Sequence, residues 1–172
     1  AREAGEVVLE LNDLSLPPAS DFGMPLRDVS LSLRKGEVLG IGGVAGNGQD
    51  ELLDALSGET HVALGMITYK GVDMASLGPN ARRAIGLLSA PEERLGHAAA
   101  PDMSLVENAM LTGATREGLE KGGMLDWSAA RRFADRIIEA FDVRTPTASN
   151  AARSLSGGNL QKFVIGREVL QR

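Results

Sequence analysis

Apolar and polar residues alternate in EVVLELNDLSL, residues 6–16. This period of two predicts a strand with Leu9 and Leu11 on one face and Val8, Glu10 and Asn12 on the other. A second strand is predicted from Leu26, then a turn at Lys35-Gly36 and a buried strand at Val38 to Ile41. After a run of glycines, GQDELLDALSG predicts a short helix stopped by Gly58. GMITYKGVDM, residues 65–74, predicts a strand with a turn at Lys70-Gly71. NARRAI predicts a helix, and IGLLS, residues 85–89, a short buried strand.

Beyond Pro91 the strand signals stop. SLVENAML, residues 104–111, predicts a helix opened by a serine cap. SAARRFADRIIEAFDV, residues 128–143, predicts a helix with Ala130, Phe133, Ile137 and Phe141 on one face. Arg131, Arg132, Asp135 and Glu139 lie off that face. NLQKFVIGREVLQ predicts a last helix after Ser156-Gly157-Gly158. The expected architecture is α/β, with a strand-rich part over 1–91 and a helical part over 92–172. There is no internal repeat and no low-complexity run.

At 172 residues the chain has the size of one domain, or one domain with a subdomain. A net charge of −5 gives no electrostatic case for nucleic acid or for an acidic membrane surface. Without cysteine there is no disulfide frame and no thiolate metal site. His61 and His97 are far apart in sequence, and no metal ligand set is assigned. No apolar run approaches the ~20 residues of a membrane span, and AREAGEVVLEL has no signal-peptide pattern. The expectation is a cytoplasmic chain. It starts at Ala1, and Arg172 ends a helical pattern with no stop signal, so it reads as a piece of a longer protein.

Two motifs carry candidate chemistry. The first is GIGGVAGNGQDELLDALSG, residues 40–58, where a predicted strand, Gly43-x-x-Gly46-x-Gly48 and a predicted helix follow in order. Such a loop turns backbone N–H groups onto an anion, and the helix N-terminus adds a partial positive charge. A plain glycine-rich turn explains the same residues. So does the dinucleotide pattern Gly40-x-Gly42-x-x-Ala45, although Glu59, the acidic residue near the required distance, follows Gly58 in a turn. The second motif is SLSGGNLQK, residues 154–162, in which a serine and two glycines open a helix and offer unpaired N–H groups and a hydroxyl to one anion. By itself it also reads as an ordinary N-cap with a glycine hinge.

Together, the loop and the later Leu155-Ser156-Gly157-Gly158-Asn159 resemble the nucleotide-binding domain of the ATP-binding cassette family. LSGGN followed by Gln161-Lys162, PEERLGHA (91–98) and SLVENAML are similar to the tandem ATPases of bacterial simple-sugar and nucleoside importers. The resemblance implies a phosphate-loop α/β core with a helical subdomain and a central sheet left incomplete here. It also implies that the second motif is the signature, which completes an ATP site on a partner cassette.

The carry-over is uneven. The phosphate-loop set is Gly43, Gly46, Asn47, Gly48, Gln49, Asp50 and Glu51, but the family's lysine position holds Gln49 and its hydroxyl position Asp50. Glu92 matches the family's Q-loop glutamine. Phe22 is the candidate adenine-stacking aromatic. The Walker B aspartate, the catalytic glutamate, the D-loop and the switch histidine would follow the signature helix, so no catalytic residue and no metal ligand is assigned. Glutamine donates without charge, and a carboxylate near triphosphate is repulsive by ~4 kcal/mol per unit-charge pair at 4 Å and an effective dielectric of 20. Asp50 could instead face magnesium, or serve the first turn of the helix.

ATP with Mg²⁺ is therefore expected to bind weakly or not at all to this loop. The implied role is the C-terminal cassette of an importer ATPase, paired with the N-terminal cassette of the same protein. It would sit against transmembrane permease subunits on the inner face of the cell membrane, around Glu92 to Pro101, with sugar or nucleoside cargo bound by other subunits. GNGQ leans towards nucleoside cargo. The alternative is a non-catalytic interaction module that has lost nucleotide binding, against which the intact Ser156-Gly157-Gly158 weighs.

Overall fold

The computed structural model describes residues 5–18 and 23–171. The chain is α/β and divides into two compact units, Ala1–Ser89 and Ala90–Arg172.

In the first unit, β1 (Val7–Leu16) runs antiparallel to β2 (Leu26–Arg34) and to β3 (Ile67–Tyr69). A short β4 (Val72–Asp73) extends the sheet to the order β2-β1-β3-β4. Leu9 and Leu11 are buried, and Glu10 and Asn12 exposed, as alternation predicts. The register then shifts between Leu11 and Leu14, where Asp13 adopts φ 47°. This bulge keeps Leu14 fully buried although it lies three residues after Leu11. Helix α1 (Gln49–Ser57) contributes Leu52 and Ala55 to the same core and ends on Gly58 at φ 93°. Arg82 of α2 (Pro79–Ala84) is 1% exposed and donates to the carbonyls of Ala55, Leu56, Met74 and Leu77. Its guanidinium thus satisfies carbonyls at the C-terminal turn of α1, where the helix dipole favours a cation.

Two predicted strands are not formed. Val38 to Ile41 and residues 85–89 pair with no strand among the described residues, and Ile85 and Gly86 lie in the turn that ends α2. Val38 is 96% exposed, Leu39 44% and Ile41 56%, so the expected buried strand is an uncovered apolar run. An apolar run reports what a segment can bury; a strand also needs a neighbour for its N–H and C=O groups.

The second unit is helical, with α3 (Leu105–Gly113), α4 (Trp127–Ala140) and α5 (Gly157–Val169) around one core. A small hairpin, β5 (Glu120–Lys121) with β6 (Met124–Leu125), interrupts it and corrects the expectation of no strand beyond Pro91. It turns through Gly122 and Gly123, both at positive φ, and four exposed residues carry no alternation to read. Ser104 and Glu107 form a reciprocal capping box on α3. Ala130, Phe133 and Ile137 of α4 are buried as predicted. Close helix packing depends on Gly166, where an added Cβ would stand 2.7 Å from the Phe141 ring.

Candidate functional site

The first cluster of predicted residues lies in the first unit. Gly46 and Gly48 have φ of 82° and 98°, left-handed values that let the loop fold back before α1 starts at Gln49. The amides of Gly46, Gly48, Gln49 and Asp50 find no acceptor among the described residues. The Asn47 amide does: it donates to Gln49 Oε1 at 3.0 Å. Gln49 Nε2 in turn donates to the Val44 carbonyl at 3.0 Å, which also accepts from Asn47 Nδ2 at 2.9 Å. The Gln49 amide lies so close over Gly43 that a Cβ there would stand 2.6 Å from Nε2.

Asp50 is exposed in the first turn of α1 beside Glu51, where a negative side chain suits the helix dipole. Glu51 is engaged by the segment before β2. Its carboxylate accepts from the Met24 amide at 2.9 Å, and this bond, with a second from its own amide, holds its pKa below the ordinary carboxylate range. Phe22 lies outside the described residues.

The second cluster lies in the other unit. Ser156 caps α5, and its Oγ accepts from Asn159 Nδ2 at 2.9 Å and from the Asn159 amide at 3.4 Å. A hydroxyl accepts twice and donates once, so its O–H remains to donate outward. The amides of Gly157 and Gly158 have no acceptor among the described residues, and the space beside Gly158 is open. Asn159 Oδ1 accepts from the Arg144 amide at 2.9 Å, tying the motif to the loop after α4. Leu155 is half-buried and packs against the core of this unit. Glu92 is exposed and makes no hydrogen bond or ion pair among the described residues.

Sequence reasoning missed two residues here. Arg94 donates from Nη1 to the Gly157 carbonyl at 3.3 Å, with its guanidinium against the Gly157 Cα. At the other end of α5, Arg167 is 2% exposed and donates to the Ala98 and Asn108 carbonyls at 2.8 and 3.1 Å. No spacing rule points to either; PEERLG reads as a charged loop until the fold brings it to the helix. Among the described residues no cluster of His, Asp and Glu could hold a metal ion, and no helix is long and apolar enough to cross a membrane.

A glycine loop opening α1, and a serine-glycine-glycine cap opening α5, define a phosphate-loop nucleotide-binding cassette. The chain belongs to the ABC transporter family, whose model matches residues 26–172. It is 37% identical to the glucose import ATP-binding protein TsgD13 of Haloferax volcanii and 35% to the guanosine import ATP-binding protein NupO of Bacillus subtilis. Those matches cover 96% and 98% of this chain but 30% and 33% of the relatives, so the chain spans about a third of their length. The fold matches two solved cassettes at 18–19% identity, both with a TM-score of 0.70. They are MJ1267, an ATP-binding cassette of an ABC transporter, and MJ0796 bound to ADP and Pi, covered over 65% and 68% of their chains.

Proposed function

We propose that this chain is part of the ATPase of an importer for a sugar or a nucleoside, and that its two motifs do unequal work. The Ser156 cap serves a nucleotide held by a partner cassette, and the Gln49 loop is a degenerate site that binds nucleotide weakly. In this reading the protein sits on the inner face of the membrane against permease subunits, with the loop around Glu92 to Pro101 facing them.

The observation that carries the reading is what accompanies the open donors at the two motifs: at α1 a side chain engages one amide and a carboxylate stands beside the others, and at α5 the Gly157 and Gly158 amides meet neither. At α5 the Ser156 O–H and the Gly157 and Gly158 amides are available together, a set suited to phosphate oxygens. At α1 the loop has no cation, one amide is engaged by Gln49, and Asp50 brings a negative charge. The residues fit an anion at both places, more poorly at α1. They supply no hydroxyl for Mg²⁺ at α1, where the Asp50 carboxylate is the oxygen available to a cation. When bound, the nucleotide would supply the phosphoryl chemistry. The residues of this chain would orient its phosphates and exclude wrong geometries.

The test is ATPase rate and uptake in the reconstituted full-length transporter. Ser156→Ala should lower both by about 10²–10³, the cost of a preorganised donor at developing charge. Gln49→Ala removes no charge and only neutral hydrogen bonds, about 0.5–1.5 kcal/mol each, and should cost far less. Equal damage from the two would make this loop a working site and end the division of labour. No loss from either would favour an interaction module that has given up nucleotide.

A further inference from the structure

The replacement of a lysine by Gln49 is usually counted as a lost charge. The geometry shows a second consequence. Lysine is a donor only and cannot take an N–H bond, whereas a carboxamide both donates and accepts. Gln49 uses both functions inside its own loop, accepting from the Asn47 amide at 3.0 Å and donating to the Val44 carbonyl at 3.0 Å. Its amide lies against Gly43, at the far side of the loop from the start of α1, where only the missing Cβ leaves room for it. The side chain thus links Asn47 to Val44 across the turn and lies against Gly43. It takes one of the donors a phosphate would need.

We propose that Gln49 decides whether this loop takes an anion, by acting as an internal occupant that competes with phosphate for the Asn47 amide. This rests on the reading that the loop is a phosphate-binding element, and adds how that element is kept empty. For an anion to seat, the Gln49 side chain must swing out and give up two hydrogen bonds. The amides of Gly46, Gly48 and Asp50 remain open throughout, so the site is blocked rather than dismantled. The three glycines keep the loop shape that makes either occupant possible.

The sign of one substitution separates this from a mere loss of charge. If Gln49 is a weak donor to phosphate, Gln49→Ala weakens binding. If it is a competitor, Gln49→Ala strengthens binding, by about three- to tenfold for one net hydrogen bond released. Gln49→Glu keeps the acceptor for the Asn47 amide and adds a negative charge, so it should bind least. Gln49→Lys removes the competitor and adds a cation, so it should bind most.

The experiment is a titration of the 172-residue chain and these three variants with inorganic pyrophosphate, followed by the amide resonances of Gly46, Asn47 and Gly48. Free Gln49→Ala should also show faster exchange at the Asn47 amide than wild type, a readout independent of any ligand. The expected order of affinity is Lys, Ala, wild type, Glu. Gln49→Ala binding no better than wild type, while Gln49→Lys binds, overturns the competition and leaves the phosphate-loop reading standing. Binding by none of the four, Gln49→Lys included, overturns both.

Discussion

Arg94 places its guanidinium over Gly157 and donates to that residue's carbonyl at 3.3 Å, while Arg167 at the other end of α5 donates to Ala98 at 2.8 Å. The loop that carries Glu92 is therefore tied to both ends of the helix that Ser156 caps. The loop is itself braced by bonds from the Ala98 amide to Glu93 and from the Ala99 amide to Arg94, and by the buried Asn108 side chain, which holds Ala100. A cation at a helix N-terminus opposes the helix dipole, so Arg94, reaching α5 from the loop before α3, is held there by its bond to the Gly157 carbonyl and against the dipole of α5. Arg94→Ala should raise amide exchange several-fold at Asn159 and Leu160, whose amides are bonded to Ser156, with little change in overall stability, because an exposed charge-assisted bond is worth about 1 kcal/mol or less. Exchange measured by NMR checks this; unchanged protection in that turn would show that Arg94 does not position the Ser156 cap.

Arg82 carries more. It is buried and meets four carbonyls, and burial pulls its pKa down while the Asp73 carboxylate pushes it back up. Arg82→Met fills similar space but takes the donor from the Ala55, Leu56 and Leu77 carbonyls, while Met74 keeps its bond from the Leu77 amide. At about 1–3 kcal/mol for an unsatisfied buried group, partly relieved by relaxation, the loss should reach roughly 3 kcal/mol. Urea unfolding followed by amide signals of α1 and β3 should show it, with the signals of α4 unaffected at low urea.

Gly166 sets two effects against each other. Alanine is the better helix former by about 1 kcal/mol. Its Cβ, however, would lie 2.7–2.9 Å from Phe141 ring atoms and Ile137 Cγ2. Overpacking of this kind costs about 1–3 kcal/mol, so the clash wins and Gly166→Ala should lower the unfolding midpoint. Combining it with Phe141→Leu should recover part of the loss; a simple sum of the two single effects would contradict the contact.

The capping box makes α3 sensitive to acid. Bonds from the Ser104 hydroxyl and then its amide hold the Glu107 pKa below the ordinary carboxylate range. A depressed folded pKa means stability that is complete above the unfolded value and lost as pH falls through the folded one. Protection of the first turn of α3 should therefore fade below the ordinary carboxylate range, and Glu107→Gln should flatten that dependence. A pH profile of exchange at Asn108 and Ala109, unchanged by Glu107→Gln, would rule the box out as its cause.

Local pattern was enough for much of this protein. Alternation placed Leu9 and Leu11 inside, helical period placed Ala130, Phe133 and Ile137 on a buried face, and Ser104 and Gly58 marked helix ends. These are contests settled within a few residues, by side-chain direction and by the needs of helix termini. The glycine and serine motifs were legible for the same reason, since each is one loop opening one helix. Partners distant in sequence were not legible. Val38 to Ile41 has the composition of a buried strand, yet pairing and cover come from other segments, and among the described residues none supplies them. The bulge at Asp13 needed the register of β2, and Arg94 and Arg167 needed the folded loop and helix beside them. Gln49 sits between the two cases. Its identity announces a lost cation, but that its amide would turn back onto Asn47 and Val44 was decided by the curl of the loop, because hydrogen-bond capacity is spent wherever tertiary geometry brings a partner within reach.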